Sequence, residues 1–207
     1  TSAKSAGADA ALLVTPYYNK PTQEGLYLHY QLIADEVDLP QILYNVPSRT
    51  GCDLLNETVL RLVDHQNIVG LKDATGDLGR LEDFMTNLDS EQKDNFALYS
   101  GDDPTATEFM INGGTGTISV TSNIVPKTIS NICDYALSGE AKAARELDAT
   151  LVRLNQILFI ESNPIPVKWM LNRIGRISDG IRLPLSHLDT KFHDEAEEVL
   201  AELNLLN

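Results

Sequence analysis

The sequence predicts a parallel α/β fold, in which short strands alternate with longer helices. From residue 10 onward, β-branched or aliphatic runs alternate with segments whose apolar residues recur at helical spacing. Each strand and helix together take about 25 residues, as expected for a parallel strand with its crossover helix. Glycine or proline marks most junctions, for example Pro40, Gly101 and the Gly113-Gly114 pair. This pattern builds either an open doubly wound sheet or a closed barrel.

Five strands are predicted in the first part of the chain, at residues 11–14, 41–46, 68–71, 96–99 and 115–120. Four helices alternate with them, near residues 23–37, 56–65, 78–88 and 104–111. In the first of these helices, Leu26, Tyr30 and Ile33 fall on one face. An open doubly wound sheet usually carries a glycine-rich phosphate loop after its first strand, and the sequence has no G-x-G-x-x-G or P-loop motif.

The last third of the chain reads as helical. Residues 127–160 have helical periodicity, a proline-rich turn follows at Asn163-Pro164-Ile165-Pro166, and a last helix is predicted over 194–205. We therefore predict two parts, an α/β part over residues 1–126 and a helical domain over residues 127–207.

Composition excludes several classes of partner. The chain of 207 residues has 16 Lys and Arg against 30 Asp and Glu, a formal net charge of −14. A surface this acidic repels nucleic-acid phosphates and anionic lipids, so neither is expected as a partner. No apolar run approaches the roughly 20 residues that span a bilayer. With two cysteines, Cys52 and Cys133, and no apparent leader, a cytoplasmic protein is expected.

Lys72 is the most informative single residue. In parallel α/β proteins the reactive side chains stand at the carboxyl ends of the strands, and Lys72 directly follows the apolar run from Ile68 to Leu71. Burial disfavours an ammonium ion, so a lysine there is expected to supply a neutral amine that attacks a carbonyl and forms a Schiff base. The alternative is a structural ion pair of Lys72 with Asp73 or Asp102, and position alone does not separate the two.

Other polar residues fall at the same ends of the strands. Arg49 could hold a substrate carboxylate through its planar guanidinium, or could be a surface arginine bonded to backbone carbonyls. Tyr17, Tyr18 and Tyr44 could relay protons, although tyrosines at strand ends more often serve in packing.

No metal or cofactor is expected. The four histidines have no metal-ligand spacing, and no Cys-x-x-Cys motif occurs. Asp102 and Asp103 precede Pro104, so we interpret this pair as a cap of the following helix.

Five motifs together resemble a known family. They are Thr15-Pro16-Tyr17-Tyr18-Asn19, Tyr44-Asn45-Val46-Pro47-Ser48-Arg49-Thr50-Gly51, Gly70-Leu71-Lys72-Asp73-Ala74-Thr75-Gly76, Ser100-Gly101-Asp102-Asp103 and Asn163-Pro164-Ile165-Pro166-Val167-Lys168. In this order they resemble the dihydrodipicolinate synthase (4-hydroxy-tetrahydrodipicolinate synthase) family of the Gram-negative bacterial type. The similarity covers essentially the whole chain. The Ser-Arg-Thr-Gly segment favours this family over N-acetylneuraminate lyase.

The resemblance implies a (β/α)8 barrel, a TIM barrel, with a C-terminal helical domain. It also implies a lyase that condenses pyruvate with L-aspartate 4-semialdehyde in lysine and diaminopimelate biosynthesis, without a cofactor, as a homodimer or homotetramer. Lys72 would form the Schiff base and Tyr44 would transfer protons. Tyr18 would complete the proton relay of a neighbouring subunit.

The same resemblance assigns the remaining site residues. Arg49 would receive the carboxylate of the aldehyde, and Gly101 and Ile118 would line the pyruvate pocket. Tyr17 would lie at the subunit interface, near the site of inhibition by lysine.

The sequence departs from the family at its beginning. Family members start with about three further strand–helix units, so this chain matches strands 4–8 of the family barrel and lacks the N-terminal third. We expect either a piece of a longer protein or a truncated form that covers its open flank by oligomerising. Besides the synthase, two functions therefore stay open: an inactive homologue that serves as an oligomeric structural module, and a related pyruvate-dependent aldolase acting on a sugar acid.

Overall fold

The structure is a computed structural model that describes residues 1–206. It contains two compact units, Thr1–Ile118 and Ser119–Asn207. The division between them comes a few residues before the boundary after residue 126 that the sequence suggests. Each unit has its own buried apolar residues.

A sheet of five parallel strands forms the centre of the first unit. The strands are β1 (Ala11–Val14), β2 (Gln41–Asn45), β3 (Ile68–Asp73), β4 (Ala97–Ser100) and β5 (Gly116–Thr117). Their spatial order is β1-β2-β3-β4-β5, the same as their order in the chain. A doubly wound sheet reverses its strand order at a switch point, whereas consecutive order is that of a barrel wall. The observed order therefore selects the barrel alternative.

Seven helices belong to this unit among the described residues: α1 (Ser2–Ser5), α2 (Gln23–Glu36), α3 (Pro47–Thr50), α4 (Asn56–Leu60), α5 (Leu78–Asn87), α6 (Ser90–Asn95) and α7 (Ala106–Ile111). The start of α2 is fixed by Thr22, whose hydroxyl accepts a hydrogen bond from the Gly25 N–H at 3.2 Å. Leu26, Tyr30 and Ala34 recur every four residues along α2 and are fully buried.

The two faces of the sheet differ in their covering. On the helix-packed face, Leu43, Leu71 and Leu98 pair in register on β2, β3 and β4, and all three belong to the apolar core shared with the helices. We call the opposite side the open face. Leu12 and Val14 of β1 are exposed there, at 44% and 39% of their surface.

A β-bulge in β3 decides which face Lys72 occupies. Gln41 pairs with Ile68, but the next residue, Ile42, pairs with Gly70, so one extra residue is accommodated in β3. Side chains alternate along a regular strand, and Ile68 and Lys72 would then share a face. Because the bulge interrupts this alternation, Ile68 packs in the core while Lys72 pairs with Tyr44 on the open face.

The second unit is helical in its described residues. Its helices are α8 (Pro126–Leu137), α9 (Ala141–Asp148), α10 (Val152–Ile157), α11 (Ile165–Arg173) and α12 (His193–Glu202). Thr121 donates a buried hydrogen bond of 2.6 Å to Asn155 and so ties the segment before α8 to α10. Between residues 1 and 206, no helix is long and apolar enough to cross a bilayer.

Several elements differ from the sequence predictions. The strand predicted over 115–120 is only Gly116–Thr117, and the helix predicted over 56–65 ends at Leu60, after which the chain continues in turns closed by i to i−3 hydrogen bonds. Helices α3, α6 and α11 were not predicted. Both α3 and α11 begin at proline-containing segments, because proline is tolerated in the first turn, where no partner exists for its missing N–H.

Candidate active site

The carboxyl ends of three neighbouring strands bring polar side chains together on the open face. Tyr44, Lys72 and Tyr99 pair in register on β2, β3 and β4. The amine of Lys72 lies over the ring of Tyr44, with its Nζ 4.2 Å from the ring centroid. Two of the predicted catalytic residues are therefore direct neighbours.

Lys72 is half-buried, and its surroundings favour the neutral amine. Burial lowers the pKa of Lys72, since a partly desolvated ammonium ion is costly, and the positive charge of Arg49 lowers it further. The carboxylate of Asp103 opposes this effect and raises the pKa, but desolvation is the largest influence. Lys72 thus has the character of a nucleophile at a lower pH than an ordinary surface lysine.

Tyr44 is affected in the opposite direction. Burial raises the pKa of its phenol, and the Arg49 guanidinium partly offsets this rise. The phenol therefore stays protonated at neutral pH and can donate a proton to a group bound at Lys72. Arg49 itself is exposed and belongs to α3, the short helix that follows β2.

A buried polar network lies behind this row, on the helix-packed face. The amide of Asn45 donates to Asp53 at 2.7 Å and to Asp73 at 3.0 Å. Asp73 also accepts a hydrogen bond from Thr75 at 2.5 Å and lies 3.5 Å from the guanidinium of Arg80. Asp73 consequently pairs with Arg80, and the alternative in which it neutralises Lys72 is wrong. Although burial raises the pKa of Asp73, its hydrogen bonds and Arg80 oppose that rise.

The same network holds the loop that carries Arg49. Arg80 donates to the carbonyl of Leu54 at 2.6 Å and to Asp53 at 3.3 Å, while the Leu54 N–H donates to Asn45 at 2.9 Å. The segment after Arg49 is thereby fixed to the ends of β2 and β3.

The segment after β4 closes against Lys72. The Gly101 N–H donates to the Asp73 carbonyl at 2.7 Å, which brings Gly101 beside the Lys72 side chain. Asp103 is buried and acts on Lys72 through its charge. The predicted capping role is not what the contacts of Asp102 indicate, since Asp102 has no capping hydrogen bond to the backbone and accepts instead from the Thr105 hydroxyl at 2.7 Å.

Comparison with known proteins relates this arrangement to a family. Residues 1–203 match the Dihydrodipicolinate synthetase family. The chain belongs to this family. A 4-hydroxy-tetrahydrodipicolinate synthase from Pseudomonas syringae pv. syringae is 54% identical over 206 residues, which are 100% of this chain and 69% of that protein.

Solved structures of the synthetase family have the same fold. The chloride-inhibited dihydrodipicolinate synthase from Acinetobacter baumannii, complexed with pyruvate, is 51% identical and superposes with a TM-score of 0.94 over 99% of this chain and 69% of that one. A dihydrodipicolinate synthase from Thermotoga maritima gives a TM-score of 0.94 at 42% identity, over 99% of this chain and 70% of that one. The family resemblance and the TIM-barrel fold class are confirmed, with five parallel strands of the barrel in this chain.

The remaining predicted residues of the synthetase-family site lie further from Lys72 along the chain or the sheet. Tyr17 and Tyr18 are in the loop after β1, with 69% and 93% of their surface exposed, and Tyr18 has a positive φ of 69°. Ile118 follows β5, and its N–H donates to the Ser100 carbonyl at 2.9 Å. Their roles remain predictions: Ile118 in lining the pyruvate pocket, and Tyr17 and Tyr18 at a subunit interface.

The network of Asn45, Asp53 and Arg80 and the charge of Asp103 near Lys72 were not predicted from the sequence. Asn45 directly follows Tyr44 at the end of a strand, so its amide could have been predicted to take part in a polar network there. Arg80 gave no such signal, because it lies within a helix whose other residues fit an ordinary amphipathic pattern. Within residues 1–206, no group of three or more His, Cys, Asp or Glu side chains is arranged to hold a metal ion.

Proposed function

We propose that this chain is a Schiff-base lyase that condenses pyruvate with L-aspartate 4-semialdehyde. The observation that carries the proposal is the Lys72 amine, which burial favours in its neutral form and which lies over the ring of Tyr44. Membership of the synthetase family and the pyruvate in the Acinetobacter baumannii relative support this choice of substrate class.

The first half of the reaction needs a neutral amine and a proton donor. The Lys72 nitrogen attacks the keto carbon of pyruvate, and the carbonyl oxygen takes up a proton to give a carbinolamine. Protonation of that hydroxyl expels water and leaves an iminium ion. Tyr44 is suited to transfer these protons, because its raised pKa keeps the phenol protonated and its ring adjoins the amine.

The second half forms the carbon–carbon bond. Loss of a proton from the pyruvate methyl group converts the iminium ion into an enamine, whose carbon attacks the aldehyde carbon of the second substrate. The aldehyde oxygen becomes a hydroxyl group by taking up a proton. The amino group of the same substrate then attacks the iminium carbon and displaces Lys72, so the overall condensation releases one water. Arg49 is proposed to bind the carboxylate of the aldehyde substrate.

A turnover assay with both substrates tests the proposal. Lys72→Arg keeps a positive charge but cannot supply a neutral amine, so it should abolish consumption of pyruvate. Lys93→Arg, in α6, is the matched control and should leave consumption unchanged. Equal rates in the wild type and Lys72→Arg would overturn the proposal.

A second candidate is an inactive member of the family that acts as an oligomeric structural module. The exposed Leu12 and Val14 on the open face favour it, since an uncovered apolar sheet face invites association. This alternative predicts a folded assembly without turnover at any pyruvate concentration. Two results together would instead indicate the related aldolase that acts on a sugar acid. The wild type would have no activity toward aspartate semialdehyde, and Arg49→Ala would keep full activity toward long sugar-acid aldehydes.

A further inference from the structure

The side chain of Lys72, which ends over the ring of Tyr44, passes close to Gly101. A Cβ placed on Gly101 would lie 2.7 Å from Cε and 3.2 Å from Cγ of Lys72. Carbon atoms in contact are normally about 3.5–4.0 Å apart. The stem of the lysine therefore occupies the space that any side chain at position 101 would need.

Gly101 has little freedom to move away from the lysine. Its N–H donates to the Asp73 carbonyl at 2.7 Å, which ties it to the end of β3. On its other side, the same Cβ would lie 2.9 Å from the Cβ of Ala74, an atom attached directly to the backbone. An added methyl group would consequently displace the Lys72 side chain, which is the most flexible of these neighbours.

We propose that Gly101 is a positioning residue. Because it has no side chain, it leaves the space through which the Lys72 side chain reaches the ring of Tyr44, where its amine attacks the keto acid. The inference rests on the proposed function for its catalytic consequence. It differs from the pocket-lining role that the family resemblance implies, because Gly101 acts here on the nucleophile and not on the substrate.

The test compares Gly101→Ala with Gly25→Ala. A Cβ at Gly25, in α2, would lie 3.4 Å from the Thr22 hydroxyl oxygen and 3.6 Å from the Pro21 Cβ, which are ordinary contacts. The first measurement is the rate at which the pyruvate adduct forms on Lys72, with the adduct trapped by borohydride. We expect Gly101→Ala to react roughly a hundredfold more slowly, because misplacement by about 1 Å has effects of that size. Gly25→Ala should react like the wild type.

The second measurement needs no pyruvate. Acetic anhydride acylates neutral amines, and mass spectrometry gives the extent of reaction at Lys72 at each pH. The groups around Lys72 are Tyr44 from β2, Arg49 from α3, Tyr99 from β4 and Asp103 from the segment after β4. In Gly101→Ala, displacement of the Lys72 amine toward water should shift its acylation profile to higher pH. The side chains of Tyr44 and Tyr99 are the same in both proteins.

The outcomes separate this inference from the proposed function. If the wild type forms no pyruvate adduct, the proposed function is refuted. If Gly101→Ala nevertheless shifts the acylation profile of Lys72, the role of Gly101 is supported. Identical profiles and adduct rates in Gly101→Ala and the wild type would overturn the role of Gly101. If Gly101→Ala does not fold, nuclear Overhauser contacts between the Lys72 Cε protons and the Gly101 Cα protons of the wild type decide the question, and their absence overturns it.

Discussion

At the scale of single residues, the proposed chemistry depends on two side chains whose pKa values are shifted in opposite directions by burial. The amine of Lys72 is made easier to deprotonate, and the phenol of Tyr44 is made harder to deprotonate. Both shifts favour the coexistence of a neutral amine and a protonated phenol at the same pH. Neither needs a metal ion for this, because desolvation alone has the required sign for both groups.

The lowered pKa of Lys72 predicts the pH dependence of imine formation. At a fixed pyruvate concentration, the rate should rise with pH as the neutral amine becomes more abundant, and should reach half its maximum below pH 10.5, the ordinary pKa of lysine. Borohydride trapping at a series of pH values measures the curve. A half-maximal rate at or above pH 10.5 would show that burial does not lower the pKa of Lys72.

Tyr44→Phe separates proton transfer from packing. The ring that lies under the amine is kept and the hydroxyl is lost, so Lys72 should still form an adduct with pyruvate. Exchange of the pyruvate methyl protons for deuterium, followed by NMR, should slow by about 10²–10⁴-fold. Tyr99→Phe, at the paired position on β4, is the control and should exchange at the wild-type rate. An unchanged exchange rate in Tyr44→Phe would exclude the phenol from proton transfer.

At the scale of elements, the ends of β2 and β3 are held together by buried hydrogen bonds as well as by the sheet. Asn45 uses both amide hydrogens and its carbonyl oxygen in contacts to Asp53, Asp73 and Leu54. Two carboxylates in this region share one guanidinium, that of Arg80. The Asn45 amide therefore supplies hydrogen-bond donors that Asp53 and Asp73 need in addition to Arg80.

Asn45→Ala should destabilise the chain by about 3 kcal/mol, because it leaves buried acceptors without donors. Urea unfolding followed by circular dichroism measures the change. The control is Asn112→Ala, which removes one exposed hydrogen bond to the Glu108 carbonyl and should change the free energy of unfolding by less than about 0.5 kcal/mol. Equal effects of the two substitutions would contradict the account of the network.

The same elements show what sequence can and cannot predict. The strands and α2 follow from local patterns, since their apolar residues recur at the spacing of each element. The bulge in β3 does not, because Ile68 to Leu71 reads as a regular strand and the extra residue is visible only in the pairing with β2. Arg80 was also unpredictable, since Asp53 and Leu54, to which it donates hydrogen bonds, lie more than twenty positions away. The placement of Lys72 and Tyr44 at the carboxyl ends of neighbouring strands was predictable, because each directly continues an apolar strand pattern.

At the scale of the whole molecule, the open face of the sheet has consequences for association. Leu12 and Val14 are exposed on this face of β1, and Leu28 and Leu32 are exposed one turn apart on α2. The chain also spans about 69% of the length of the Pseudomonas syringae relative. Apolar surface of this kind favours burial against another copy or another chain.

We expect self-association in dilute buffer, and light scattering after size exclusion measures it. The associated protein should have at least twice the mass of one chain. Leu28→Gln/Leu32→Gln should weaken association if α2 takes part in the contact, and should leave it unchanged if another surface does. Glu36→Gln, near the end of α2, is a control for a change of surface polarity. A monomer at every concentration would contradict the expectation and would leave the open face exposed to solvent.

Trapping with pyruvate and borohydride is the most direct measurement of the central claim, that the partly desolvated amine of Lys72 forms an imine with a keto acid. The intact mass should increase by a single reduced pyruvate adduct, and peptide mapping should locate it on Lys72 with exposed lysines such as Lys142 unmodified. No mass increase, or an adduct spread over the exposed lysines, would contradict the claim.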